Sequence, residues 1–312
     1  MARFKVRILG CGSALPNLKH NTTSQLVEVH DKFFMVDCGE GAQLQLRKSR
    51  IHFCKVGAIF ISHLHGDHCF GLMGLVSSFG LLGRTAPLHI YAPKEMGELF
   101  ELQKKMFCST FEYELVFHPV ETSDSKIVFE DKSVRVSTIP LSHRVPCCGF
   151  LFEEKPQQPH INKEMVDYYE IPQSQYGNIK AGCDWLTADG ETIPNSRLTI
   201  PAAPPLSYAF CSDTRYVPSL HHILKGVDVL YHESTYGEAD KKNAEKYYHS
   251  TAAQAATVAR DSGAGMLLLG HYSSKYADER CLLDEARQIF PNAFLTNEMD
   301  VVDVERKSLA GK

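Results

Sequence analysis

The chain has 312 residues, 44% hydrophobic and 22% charged, which supplies ample apolar surface for a core. A net charge of −4 excludes a global attraction to nucleic acid or to an anionic membrane, so such a partner must be met by a local patch. No apolar run approaches the roughly 20 residues of a membrane span, and "MARFKVRILG" lacks the apolar centre of a signal peptide. Ten scattered cysteines without a C-x-x-C pair argue against a zinc–thiolate site and for reduced thiols in a cytoplasmic protein.

The first part of the chain alternates strands and helices. "FKVRILG", "SQLVEV" and "FFMVD" read as strands, and "GEGAQLQLRKSR" as a short helix opened by glycines. "KVGAIFI" is a buried strand, and "CFGLMGLVSSFGLLG" an apolar helix. "LHIYAP" (strand) and "KEMGELFELQKKMF" (helix) follow, then the strands "EYELVFHPV", "KIVFED", "SVRVSTIPL" and "GFLFEE". Residues 155–205 are rich in proline and weakly patterned, which inside a compact domain marks a functional or disordered excursion. Regular structure resumes with the strands "SYAFCSD", "VDVLYHES" and "AGMLLLGH" and the helices "STAAQAATVARDSG" and "DERCLLDEARQIF". The pattern predicts an α/β fold, with mixed sheets inside and helices outside.

The stretch "SHLHGDH" places His63, His65, Asp67 and His68 on the turn between a strand and a helix. Side chains grouped there face one point on rigid supports, as a metal site requires. His143, Asp213 and His271 each follow another strand-like run. Taken singly, His143 or Asp213 reads as a helix cap or a surface residue; beside the cluster they become ligand candidates. Seven groups exceed the four ligands of one tetrahedral zinc. With one bridging carboxylate they serve two ions, the arrangement by which enzymes activate water and stabilise a displaced phosphoryl oxygen. His118, His160, His221 and His222 lack this setting. "HSTAAQAA" reads on its own as a helix start capped by Ser250 or Thr251.

"HLHGDH" matches the H-x-H-x-D-H signature of the metallo-β-lactamase superfamily, and "LSH", "CSDT" and "GHYSS" resemble its later ligand motifs, in order. With "VDCGEGAQLQL", "HEST" and "HST", the chain resembles one branch, ribonuclease Z, the tRNA 3′-processing endonuclease, from "ILGCGSALP" to "FLTNEM". The resemblance implies an αββα sandwich over residues 1–312, a single catalytic domain with a protruding insertion at 155–205. It implies two zinc ions per chain: His63, His65 and His143 on one, Asp67, His68 and His271 on the other, and Asp213 bridging. Asp67 would also be the general base, and Glu233 and His249 would serve the leaving group. Precursor tRNA is the implied partner, and a homodimer the implied assembly.

Two segments depart from the family pattern. The N-terminal loop P-x-K-x-R-N is here "PNLKHN", Pro16 to Asn21, with Leu18 for the lysine, His20 for the arginine, and Lys19 as a substitute from the next position. Residues 155–205 fall where the family carries its tRNA-binding arm, yet between Glu153 and Ile200 stand eight acidic residues against four basic ones; phosphate binding favours the reverse. Lys180, with Tyr176 or Trp185 packing on sugar or base faces, is the expected contact set there. The "RKSR" cluster reads as a phosphate contact or as a solvated, dipole-compensating helix end. A small-substrate phosphodiesterase of the same superfamily and a non-catalytic tRNA-binding metalloprotein are the competing readings. A structural zinc site is closed by four ligands, which argues against the second, and a small substrate does not need the excursion.

Overall fold

The computed structural model describes residues 4–15, 17–107 and 111–306; Pro16 of the N-terminal loop motif and Cys108 lie outside them. Strands β1 (Phe4–Gly10), β2 (Ser24–Val29) and β3 (Lys32–Cys38) form an antiparallel meander. After helix α1 (Ala42–Lys48), β4 (Val56–Phe60) joins β3 in parallel. Helices α2 (Gly66–Cys69) and α3 (Leu72–Leu81) lead to β5 (Leu88–Pro93), and α4 (Met96–Phe107) to β6 (Leu115–Val120), both added in parallel. Strands β7 (Ile127–Glu130), β8 (Val134–Pro140) and β9 (Cys148–Glu154) begin a second sheet.

The chain divides there into two compact units, Met1–Glu153 with Leu206–Lys312, and Glu154–Pro205. The smaller unit holds β10 (His160–Ile161), α5 (Lys163–Tyr168), α6 (Tyr176–Lys180), β11 (Trp185–Leu186), β12 (Thr192–Ile193), α7 (Asn195–Leu198) and β13 (Thr199–Ile200). Its elements are too short to show a hydrophobic period. They close over a small core of Val166, Ile171, Ile179, Ile193 and Leu198, against which Tyr176 and Trp185 pack.

The larger unit resumes with β14 (Ser207–Cys211), α8 (Leu220–Ile223), β15 (Val229–Glu233), α9 (Lys241–Tyr247), α10 (Ala252–Ser262), β16 (Met266–Gly270), α11 (Arg280–Ile289) and β17 (Ala293–Leu295). β18 (Val301–Asp303) returns to pair with β1 in the first sheet. Among the described residues each sheet has seven strands, β18-β1-β2-β3-β4-β5-β6 and β17-β16-β15-β14-β9-β8-β7. Their inner faces share one core. Phe34 and Phe60 of the first sheet meet Phe150 and Phe152 of the second at ring-centroid distances of 5.3–5.8 Å. The outer face of the first sheet is covered by Leu46, Leu72, Leu75, Phe79 and Phe100 from its helices, and α10 packs over β15 and β16, α11 over β17. This is the αββα sandwich. Because both faces of the central parallel strands are covered, β4, β14 and β16 read as apolar runs rather than as alternating ones.

Local chemistry sets the element ends that face the site. Thr251 caps α10 through a capping box with Gln254, and Gly263 ends it in the left-handed region at φ 67. The helix expected over 69–83 is interrupted: Gly71 separates α2 from α3, its N–H donating to the Cys38 carbonyl at 2.9 Å. The Gly39 carbonyl leaves no room for a Cβ at Gly71. The break turns α2, with Asp67 and His68, toward the sheet edge.

Candidate metal centre

Every expected ligand comes from an element end at one edge of the two sheets. His63 and His65 follow β4, Asp67 and His68 lie in α2, and His143, Asp213 and His271 follow β8, β14 and β16. Their donor atoms form two groups, each within 4.8 Å: His63, His65, His143 and Asp213, and Asp67, His68, Asp213 and His271. In the first, His65 Nδ1 lies 3.1 Å from His63 Nε2 and 3.2 Å from His143 Nε2. Asp213 Oδ2 is 3.6 and 3.7 Å from those two Nε2 atoms. In the second, Asp67 Oδ2 is 3.3 Å from both His68 Nε2 and His271 Nε2, and Asp213 Oδ1 is 3.4 and 3.1 Å from them. Asp213 thus turns one oxygen to each group.

Three observations fit these groups to metal. A tetrahedron with bonds of about 2.0–2.1 Å has edges of about 3.3 Å, close to the distances above. His68 Nε2 and Asp213 Oδ1 are buried without any hydrogen bond, a costly condition unless something else satisfies them. Third, the far nitrogens are held so that the near ones carry lone pairs. His143 Nδ1–H donates to the Tyr248 carbonyl at 2.9 Å, and His68 Nδ1–H to Asp37 Oδ2 at 2.7 Å. The Ser62 hydroxyl donates to Asp37 at 2.9 Å and accepts from His63 Nδ1–H at 3.0 Å. The Thr235 hydroxyl donates to Glu233 at 2.7 Å and accepts from His271 Nδ1–H at 2.8 Å. Partners of this kind fix the orientation of metal-ligating histidines. Asp37, Tyr248 and His271 hold left-handed backbone, at φ 55, 59 and 60, strain of the kind concentrated at functional sites.

Beside the groups sits the pair from "HEST" and "HST". Glu233 is fully buried and accepts from the Thr214, Ser250 and Thr235 amides at 2.9–3.1 Å. His249 Nδ1 lies 3.0 Å from Glu233 Oε1. Burial alone would lower the His249 pKa, but the Glu233 carboxylate outweighs it and raises it to about 9, which favours the protonated imidazole. Burial would likewise raise the Asp213 carboxyl, yet the surrounding imidazoles, His271 and His68 foremost, hold it well below the usual range. The two groups and His249 open into a cavity of about 580 Å³. Glu233, His249 and His271 also lie close enough to act together as ligands.

The remaining candidates lie elsewhere. Lys19 Nζ is engaged by Glu279 and by the Ala277 carbonyl. His20, standing where the family motif has arginine, sits between Glu298 at 3.0 Å and Glu279 at 3.3 Å, with the Cys11 thiol 3.2 Å away. Tyr176 and Lys180 belong to α6 of the smaller unit, where Tyr176 packs against that unit's own core. Asp37, Ser62 and Thr235 support the groups without being among the expected site residues. Asp37 carried the same signal as the ligands, a carboxylate closing an apolar strand. The hydroxyls carried none, since serine and threonine are ordinary at strand ends.

Comparison with known proteins bears on the fold and the family. A family model described as Anti-Pycsar protein Apyc1 matches residues 4–158, a span that stops short of Asp213, Glu233, His249 and His271. The short form of human tRNase Z superposes with a TM-score of 0.69 at 22% identity, over 96% of this chain and 99% of that one. The metallo-β-lactamase fold protein YhfI from Bacillus subtilis does so at 0.67 and 17%, over 96% and 98%. The protein is therefore of the metallo-β-lactamase fold, with paired histidine–carboxylate groups at the sheet edge. A ribonuclease Z of Bacteroides fragilis (strain YCH46) is 53% identical over 298 residues, 96% of this chain and 98% of the relative. At that identity and coverage, the chain belongs to the ribonuclease Z family.

Asp37→Asn keeps a residue that tolerates left-handed backbone but removes the charge behind His68. It should leave the fold intact and weaken metal binding by about 10–100-fold, read by chelator competition. Unchanged affinity would show that Asp37 does not support the centre.

Proposed function

We propose that this chain is a two-zinc endoribonuclease that removes the 3′ trailer from precursor tRNA, leaving a 3′-hydroxyl on the tRNA and a 5′-phosphate on the trailer. The observation that carries this reading is Asp213 turning one oxygen to each of two histidine–carboxylate groups, with His249, backed by the buried Glu233, lining the same cavity. His63, His65 and His143 would hold one zinc, Asp67, His68 and His271 the other, and Asp213 both. Bound there, the ions would supply activated water near neutral pH and offset charge developing on the phosphoryl oxygens. Asp67 orients the attacking water and accepts its proton. His249, whose Nδ1 is taken by Glu233, presents Nε2 to the departing 3′ oxygen and donates its proton; the buried carboxylate keeps that proton available.

Three further parts of the reading go with this one. Residues 155–205 serve as the tRNA-binding arm, supported by their position in the chain, with Lys180 among the contacts. The chain works as a homodimer, supported by apolar side chains left exposed on the helices of the first sheet: Leu44, Leu81, Leu99, Leu102, Met106 and Phe107. Its location is the cytoplasm, in keeping with free buried thiols such as Cys38, Cys147 and Cys211. No helix among the described residues is long and apolar enough to cross a membrane.

The zinc-loaded protein should cut precursor tRNA at the trailer junction, with two ions per chain by elemental analysis. His249→Ala should keep the metal and lose about 10²–10⁴ in turnover. The loss should be smaller on a nitrophenyl phosphodiester, whose leaving group needs no proton; equal losses on both substrates would exclude His249 as the acid. Replacing residues 156–200 by a short Gly/Ser linker should cost about tenfold or more in kcat/KM on precursor tRNA, about 1.4 kcal/mol, while small-diester hydrolysis persists. A folded, arm-less protein at full rate on tRNA would refute the arm. Sedimentation velocity should give twice the 35.0 kDa chain mass, and a monomer at micromolar concentration would refute the dimer.

A further inference from the structure

The catalytic cavity is lined by the carboxylates of Glu40, Asp67 and Asp213, and among the described residues Arg144 is the only lysine or arginine that lines it. Arg144 directly follows the ligand His143, on a loop held at several points. Ser142 N–H donates to the Thr214 hydroxyl at 3.0 Å, Arg215 N–H to the Ser142 carbonyl at 3.0 Å, and Leu141 N–H to the Cys147 carbonyl at 3.3 Å. The backbone is fixed while the side chain is exposed, with no ion pair or hydrogen bond to the other described residues. The ring of His143, the residue before it, stands 5.2 Å from that of His249, and the Arg144 charge is felt at His65 and at Tyr236, whose ring lies 6.1 Å from that of His249. Arg144 also lines an adjoining cavity of about 530 Å³, with Lys94, Ser123 and Ser142 and with the glutamates Glu95 and Glu121. It therefore stands where the two cavities meet.

We propose that Arg144 binds the phosphodiester next to the scissile one, on the leaving-group side, and so sets which bond of an RNA strand lies over Asp213. The proposal rests on the endoribonuclease reading above. His249 serves the departing 3′ oxygen, so the nucleotide beside it is the last of the product tRNA, and the phosphate 5′ to that nucleotide is the nearest remaining anion. A guanidinium suits it, since two parallel N–H groups grip two phosphate oxygens in one geometry. The carboxylates cannot take this part: Asp67 and Asp213 face the metal groups, and Glu40 repels a phosphate.

The test compares the zinc-loaded full-length protein with Arg144→Ala and Arg144→Lys on precursor tRNA and on bis(p-nitrophenyl) phosphate, which has no second phosphate. Arg144→Ala should lose about tenfold more in kcat/KM on the tRNA than on the diester, and its cuts should spread to neighbouring bonds. For the product tRNA with its 3′-hydroxyl, the slope of log Kd against log salt should become shallower by about 0.7, one phosphate contact. Arg144→Lys should restore that slope but not the cleavage register, because the ammonium is a point charge. Equal losses on both substrates, or an unchanged salt slope, would overturn the proposal. A wild-type protein that cuts precursor tRNA, matched by Arg144→Ala, would overturn it while leaving the function intact; a wild-type protein that leaves precursor tRNA uncut would overturn both.

Discussion

Four carboxylates are buried at one edge of this sandwich, and three of them, Asp37, Asp213 and Glu233, almost completely. An unpaired ion there would cost several kcal/mol even after relaxation, so each must be met by partners of opposite sign or by donors. The structure meets Asp37 with His68 and the Ser62 amide and hydroxyl, and Glu233 with His249, three amides and the Thr235 hydroxyl. Asp213 is met by four imidazoles at 3.1–3.7 Å. The same imidazoles crowd one another, so neither sign is satisfied by protein alone. The divalent charge that a metal brings completes the balance, and the fold is arranged around that balance.

Strand geometry delivers the groups. β14, β15 and β16 run parallel, with Cys211 beside His232 and Glu233 beside Gly270. Their ends therefore set Asp213, Glu233 and His271 side by side. β3 and β4 of the opposite sheet, also parallel, bring Asp37 and His63 to the same edge. Chain leaving the ends of parallel strands is where open α/β sheets build their sites. The left-handed residues at this edge mark where the backbone must turn sharply to aim a side chain.

Much of this was legible in the sequence. The apolar strand runs and the periodic helices show through because burial on both faces leaves a dense signal, and the H-x-H-x-D-H loop shows because few other demands place imidazoles so close together. What stayed hidden has physical reasons. β17 and β18 are three-residue edge strands, and α9, lysine-rich and mostly exposed, has no apolar stripe. The break at Gly71 depends on a carbonyl from a distant strand. Asp37 closes an apolar strand as the ligands do, but it stands behind them, on His68 and, through Ser62, on His63, and nothing in the sequence separates that role from a ligand's. The loop motif offers Lys19 in place of the family lysine and His20 in place of the arginine, but their glutamate partners, Glu279 and Glu298, lie far away in the chain.

The smaller unit enters the chain between β9 and β14, which are antiparallel neighbours in the second sheet, with Glu153 opposite Ser207. Topologically, everything from Glu154 to Pro205 is one hairpin connection, and a bare turn would close the sheet equally well. Closure entropy grows only with the logarithm of loop length, so the sheet scarcely registers what is inserted there. The catalytic edge and the insertion can then diverge at independent rates. A lineage that lengthened, shortened or exchanged this connection would leave every strand pairing of the sandwich undisturbed, which makes the β9–β14 junction a natural seam for insertions.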